Sequence, residues 1–109
     1  MFIAYQGKEF MKAPSECRNL TDIRTAVNSI DRELIKLLGR RASYALAALT
    51  FKHDRKDIAD PAHRRKMFAQ RRQWAKRPRL NPKMIDRIFQ AIVDESKRLH
   101  LAGLRTRQR

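Results

Sequence analysis

From Leu20 to Phe51 apolar residues return every third or fourth position, through Leu20, Ile23, Val27, Ile30, Leu34, Leu37, Leu38, Tyr44, Ala45, Ala48 and Leu49. That period is the signature of one long amphipathic helix. Asn19 or Thr21 is placed to cap its start, and Asp22 falls in the first turn, where a negative charge meets the positive end of the helix dipole. A helix of about 30 residues spans roughly 45 Å, more than a monomeric domain of this size easily covers, so the pattern calls for a second copy of the chain. Gly39 interrupts the run at a cost of about 1 kcal/mol, which a close helix crossing there would offset.

Two further helices follow. Asp60-Pro61 and Asn81-Pro82 are cap-then-proline pairs, with the side chain satisfying an orphan N–H and the proline at the first helical position. The second helix is expected over Pro61 to about Ala75, with a thin stripe of Met67, Phe68, Arg71 and Trp74, and Pro78 stops it. The third is expected from Pro82 to about Leu104, with a stripe through Met84, Ile85, Ile88, Phe89, Ile92, Val93, Ser96 and Leu99, and with Gly103 ending it. Residues 53–60 read as a polar connection. Residues 1–11 read as a loose extension, 12–104 as a single helical domain and 105–109 as a frayed basic tail. The fold class is therefore all-α, a three-helix protomer with one long N-terminal helix. The chain has 109 residues, enough for one domain, and with three glycines and four prolines it is poor material for a turn-rich β fold.

Several function classes drop out. The single cysteine, Cys17, excludes an intrachain disulfide framework, and His63 and His100, like His53, lack cysteines at metal-ligand spacing. No glycine-rich phosphate loop exists. No apolar run is long enough to cross a membrane and no secretory signal opens the chain, so a cytoplasmic location is expected. The formal net charge of +15 points to an anionic partner, polymer or metabolite. Arg40, Arg41, Arg64, Arg65, Arg71 and Arg72 are candidates for a phosphate backbone, but they spread around their helices and no helix-turn-helix turn is present. A nucleic-acid-binding helical dimer is thus the lower-ranked alternative.

The cations of the first helix are more specific. Arg24 lies in the apolar stripe between Ile23 and Val27, and Arg41 is in phase with Leu37, Leu38 and Tyr44. An arginine at such a position is ion-paired, lays its stem along apolar surface, or faces a cavity. Arg24 and Arg41 are 17 residues apart, about 25 Å along a helix, whereas Arg41 and Lys52 are separated by about three turns and share a face. Arg41 and Lys52 can converge on one small anion, and Arg24 can join them only from another copy. Ser96 and His100, four apart, share a face of the third helix, and Arg64 sits one turn into the second.

The stretches Leu20-Thr21-Asp22-Ile23-Arg24, Ile30-Asp31, Leu37-Leu38-Gly39-Arg40-Arg41 and Phe51-Lys52 resemble the first helix of the all-helical chorismate mutases, closest to the small branch that includes the isochorismate pyruvate lyase of salicylate synthesis. Ile88-Phe89-Gln90-Ala91-Ile92-Val93-Asp94-Glu95-Ser96 is very like the mutases proper, and the resemblance covers about residues 12 to 102. It implies an intertwined homodimer with two shared sites. Each takes Arg24 from one chain and Arg41, Lys52, Arg64, Ser96 and His100 from the other, around a small dicarboxylate, chorismate or isochorismate. It implies a cofactor-independent rearrangement of chorismate to prephenate, with the lyase, or a weakly active relative, as the alternative. Arg24 and Arg41 would hold the carboxylates, Arg64 the ring end, and Lys52 would donate to the ether oxygen as its bond breaks. The chain departs from the mutases at His100, where they carry glutamine or glutamate, and at Arg65, where they carry a glutamate for the substrate hydroxyl. If the imidazolium is the useful donor, activity should fall between about pH 6 and 8.

Overall fold

The structure is a computed structural model that describes residues 12–51 and 60–107, apart from the side chains of 104, 105 and 107. The expectations for residues 1–11, 53–59 and 108–109 lie outside the described residues. The described chain is all-α: α1 (Leu20–Ala47) continues into a 3-10 segment (Ala48–Phe51), followed by α2 (Pro61–Trp74) and α3 (Pro82–Arg107), with a short 3-10 turn at Pro14–Glu16. None of these helices is long and apolar enough to cross a membrane. The chain divides into two compact units, Met1–Arg41 and Ala42–Arg109.

In the first unit, Asn19 is the cap, its Oδ1 accepting from the Asp22 amide at 2.8 Å. Asp22 in turn gathers the segment before the helix. Its Oδ2 accepts from the Arg18 amide at 3.0 Å and from Lys12 Nζ at 3.1 Å, and Arg18 Nε lies 3.7 Å away. The Ala13 amide donates to Glu16 Oε1 at 2.8 Å and closes the 3-10 turn. The apolar stripe of α1, by contrast, stays about half open. No α1 residue is buried, and Leu20, Ile23, Val27, Ile30, Leu34, Leu37 and Leu38 each keep 39 to 64% of their surface exposed. At Gly39 an added Cβ would meet nothing within 4 Å, so the close crossing expected there is not made by the described residues of this chain.

The core lies in the second unit, where Met67, Ala75, Ile85 and His100 are buried. Asp60 caps α2 by accepting from the His63 amide at 3.2 Å, with Pro61 following as expected. After α2 the Arg79 amide donates to the Lys76 carbonyl at 3.1 Å and the Leu80 amide to the Ala75 carbonyl at 3.0 Å, with Arg79 in the left-handed region at φ 58°. This is the pairing of a Schellman-type turn, which glycine ordinarily fills. Asn81 then caps α3, accepting from the Lys83 amide at 2.9 Å. The α2–α3 seam is crossed by Arg72 and Asp86 at 2.9 Å and by Arg71, whose guanidinium lies 5.0 Å from the Trp74 ring centre and 5.5 Å from that of Phe89. Those two rings explain an arginine in an otherwise apolar stripe.

Gly103 does not end α3, which runs on to Arg107; the expected tail is helical through that residue. A Cβ at 103 would collide with the Leu49 side chain. The glycine is there to let α3 approach the 3-10 segment, a reason that its position late in a helix conceals.

The Asp22 carboxyl is held below its ordinary value of 3.8, first by the Arg18 amide and then by Lys12. A depressed folded-state pKa means the contribution is complete above the ordinary value and disappears as pH falls through the folded value. The Arg18 amide should therefore be protected from hydrogen exchange at neutral pH and lose protection at a pH below about 4. In Asp22→Asn the protection should be weaker at neutral pH and no longer change through that acid range; an unchanged titration in the variant would refute the assignment.

Candidate functional site

Arg24 and Arg41 stand on one unbroken helix, and the structure keeps them on the spacing read from the sequence. Arg24 is exposed and Arg41 half-buried. Neither makes a hydrogen bond or ion pair among the described residues, in contrast to Asp22 and Glu33 of the same helix. Cations left without carboxylate partners are available to an external anion. Lys52 lies outside the described residues.

In the second unit α3 places Ser96, half-buried, one turn before His100, which is only 5% exposed. His100 Nε2 lies 2.5 Å from the Ala45 carbonyl oxygen. A carbonyl only accepts, so Nε2 carries the hydrogen and donates it. Ala45 belongs to the last turn of α1, whose carbonyls lack ordinary intrahelical partners. The imidazole thus acts as a side-chain cap on the end of α1, one turn before Leu49 meets Gly103. In this conformation the Nε2 hydrogen is engaged by the backbone, and Nδ1 is the ring nitrogen left for other contacts.

Arg64 goes elsewhere. Its guanidinium donates to Gln90 Oε1 at 3.0 Å, and Gln90 Nε2 donates to Asp94 Oδ1 at 2.8 Å. Gln90 is six residues before Ser96 and ten before His100, about 9 and 15 Å along α3. The structure therefore brings Ser96 and His100 together and sets Arg64 apart from both, in a groove lined on α2 by Arg64, Arg65, Phe68 and Arg72 and on α3 by Asp86, Arg87 and Gln90. Of the mutase-like run Asp94-Glu95-Ser96, Asp94 is taken by Gln90. Glu95 is held by two bonds from Arg98, at 2.9 and 2.6 Å, which draw its carboxyl below the usual range. Ser96 is the member of the run that makes no such bond among the described residues.

Sequence reasoning missed the Ala45 carbonyl and the Gln90 bridge. The first belongs to a backbone atom 55 residues away from His100, which no side-chain motif marks. The second had a local signal, since Gln90 and Asp94 are one helical turn apart. Among the described residues no group of His, Cys, Asp and Glu is arranged to hold a metal ion.

The model of the family described as chorismate mutase type II matches residues 23–101. The chain is also 35% identical over 83 residues to the isochorismate pyruvate lyase of Pseudomonas aeruginosa, an alignment covering 76% of this chain and 82% of that protein.

Replacing His100 by alanine would orphan the Ala45 carbonyl and leave a void, and should lower stability by about 2 to 4 kcal/mol. His100→Gln, which retains an N–H donor of similar reach, should recover more than half of that loss. Denaturant midpoints of the two variants at constant m-value check this, and equal loss in both would remove the capping role.

Proposed function

The chain belongs to the chorismate mutase type II family, and within that family we propose that it is an isochorismate pyruvate lyase, converting isochorismate to salicylate and pyruvate. The observation that carries this reading is the 35% identity extending over 82% of a lyase. Arg65 supports it, since the resemblance places a glutamate there in mutases to take the chorismate hydroxyl, and isochorismate carries its hydroxyl elsewhere.

The chemistry asks little of the protein beyond charge and shape. The ether C–O bond breaks, one ring hydrogen passes to the enolpyruvyl methylene to make the pyruvate methyl, and the ring becomes aromatic. Atoms balance without a cofactor or a covalent intermediate. Two carboxylates need cationic partners, and Arg41 with Arg24 of a second copy would hold them, bidentate where planarity allows. Lys52 would donate to the ether oxygen as negative charge grows on it, an interaction stronger in the transition state than in the ground state. Clamping the reactive conformer adds a proximity gain. Ser96 would line the pocket beside His100, and an Arg64 grip on the ring end would require its guanidinium to leave Gln90.

The second copy is supported by α1 itself. Seven apolar side chains with a third or more of their surface exposed would contribute on the order of 10 kcal/mol on mutual burial across two protomers, before the cost of association. Arg24 and Arg41, about 25 Å apart on one rigid helix, can meet one substrate only in such an assembly.

Incubating the purified protein separately with chorismate and isochorismate tests the reaction. Salicylate plus pyruvate should form from isochorismate, with at most slow prephenate formation from chorismate; the reverse order would make the chain a mutase. Lys52→Ala should raise the barrier by about 3 kcal/mol, on the order of a hundredfold in kcat. Arg24→Ala and Lys52→Ala should each be nearly inactive. Unfolded together and refolded as a mixture, they should recover about a quarter of wild-type activity, because half of the dimers would carry one intact site. No recovery in a mixture shown to contain heterodimers would rule out shared sites.

A further inference from the structure

From Pro61 to Ile85 the chain carries nine lysines and arginines and no aspartate or glutamate. Read along the sequence these cations point all round their helices. The fold sorts them. Arg64, Arg65 and Arg72 of α2 and Arg87 of α3 line one open groove of about 720 Å³, and Asp86 is the sole acid on its walls. The groove therefore carries three net positive charges.

Two of the four guanidiniums are already positioned. Gln90, itself held by Asp94, fixes Arg64, and Asp86 fixes Arg72. Part of the side-chain entropy that binding would otherwise remove is thus already gone. Arg65 and Arg87 are exposed and make no hydrogen bond or ion pair among the described residues. Arg64 and Arg72 stand eight residues apart on α2, about 12 Å. One strand of a nucleic-acid duplex places a phosphate about every 3.4 Å of its axis, so this row matches three or four of them. A small anion would be satisfied by one or two guanidiniums and would not use the row.

We propose that this groove is a binding surface for the phosphate backbone of nucleic acid, one that meets the proposed site for the dicarboxylate only at Arg64. Recognition is by charge alone. The connection between α2 and α3, residues 75–81, is longer than the three- or four-residue turn of a helix-turn-helix pair that reads bases, so binding is independent of sequence and strongly dependent on salt.

Fluorescence anisotropy of a labelled 16-base-pair duplex with the full-length protein tests this. Saturable binding with Kd between about 1 and 100 µM is expected near physiological salt, weakening steeply as salt rises. Arg65→Gln with Arg87→Gln should weaken binding at least tenfold and reduce the salt slope by about two, one for each lost phosphate contact. Arg32→Gln with Arg40→Gln, an equal loss of charge on α1, should change Kd by less than about twofold. Excess chorismate, which would engage Arg64 alone of the four guanidiniums, should weaken binding by no more than about threefold. The proposal fails if no saturable binding appears or if the α1 pair weakens it as much as the groove pair. It fails too if saturating chorismate displaces the duplex completely, or if poly-glutamate of equal charge competes as well as unlabelled duplex, which would mark the surface as one for acidic proteins.

Discussion

A helix that cannot cover its own apolar side is the constraint on which the rest depends. In α1 no side chain is buried, while the second unit hides Met67, Ala75, Ile85 and His100. Burial per area is similar for all these side chains, so the imbalance is one of placement rather than composition. The N-terminal unit is held by polar contacts at its start, through Asn19 and Asp22, and its apolar stripe is left for another surface. Arg24 and Arg41 ride on that stripe as cations that have no ion-pair partner among the described residues. The same helix thus presents the apolar area that would favour association and the charges that association would bring together.

The second unit answers to a different logic. Its two helices are joined by few buried groups, and much of the seam is polar or cationic. Arg72 reaches Asp86, Arg64 reaches Gln90, and Arg71 lies between two aromatic rings. The one ion pair among these, Arg72–Asp86, has both side chains more than a third exposed and contributes little, so these contacts act chiefly to set register. The contacts to the end of α1 are more demanding. His100 occupies a backbone carbonyl and Gly103 clears space for Leu49. Both lie on α3 within one turn of each other, which makes that turn the joint between α3 and the segment leading toward Lys52.

The elements most legible in the sequence were those set by local chemistry. Asn19, Asp60-Pro61 and Asn81-Pro82 start their helices because a short polar side chain can satisfy an amide two or three residues ahead, and the structure contains each of these bonds. Glycine was less legible. Gly39 and Gly103 look alike in the chain, yet among the described residues a side chain would strike a neighbour at Gly103 and not at Gly39. The reason lies in Leu49, 54 positions away, and no local pattern encodes it. Of the candidate site, the separation of Arg24 from Arg41 and the shared face of Ser96 and His100 follow from helical periodicity alone. The direction taken by Arg64, and the carbonyl facing His100, depend on tertiary approach and were not legible.

Trp74 is the single tryptophan of the chain, and it stands against the Arg71 guanidinium at the α2–α3 seam. Intrinsic emission from this protein is therefore a local spectroscopic probe. It follows the loosening of that arginine from the indole. A melting curve recorded by fluorescence and one recorded by far-ultraviolet dichroism, to which α1 contributes the longest helix, would coincide only if the two units lose their order together.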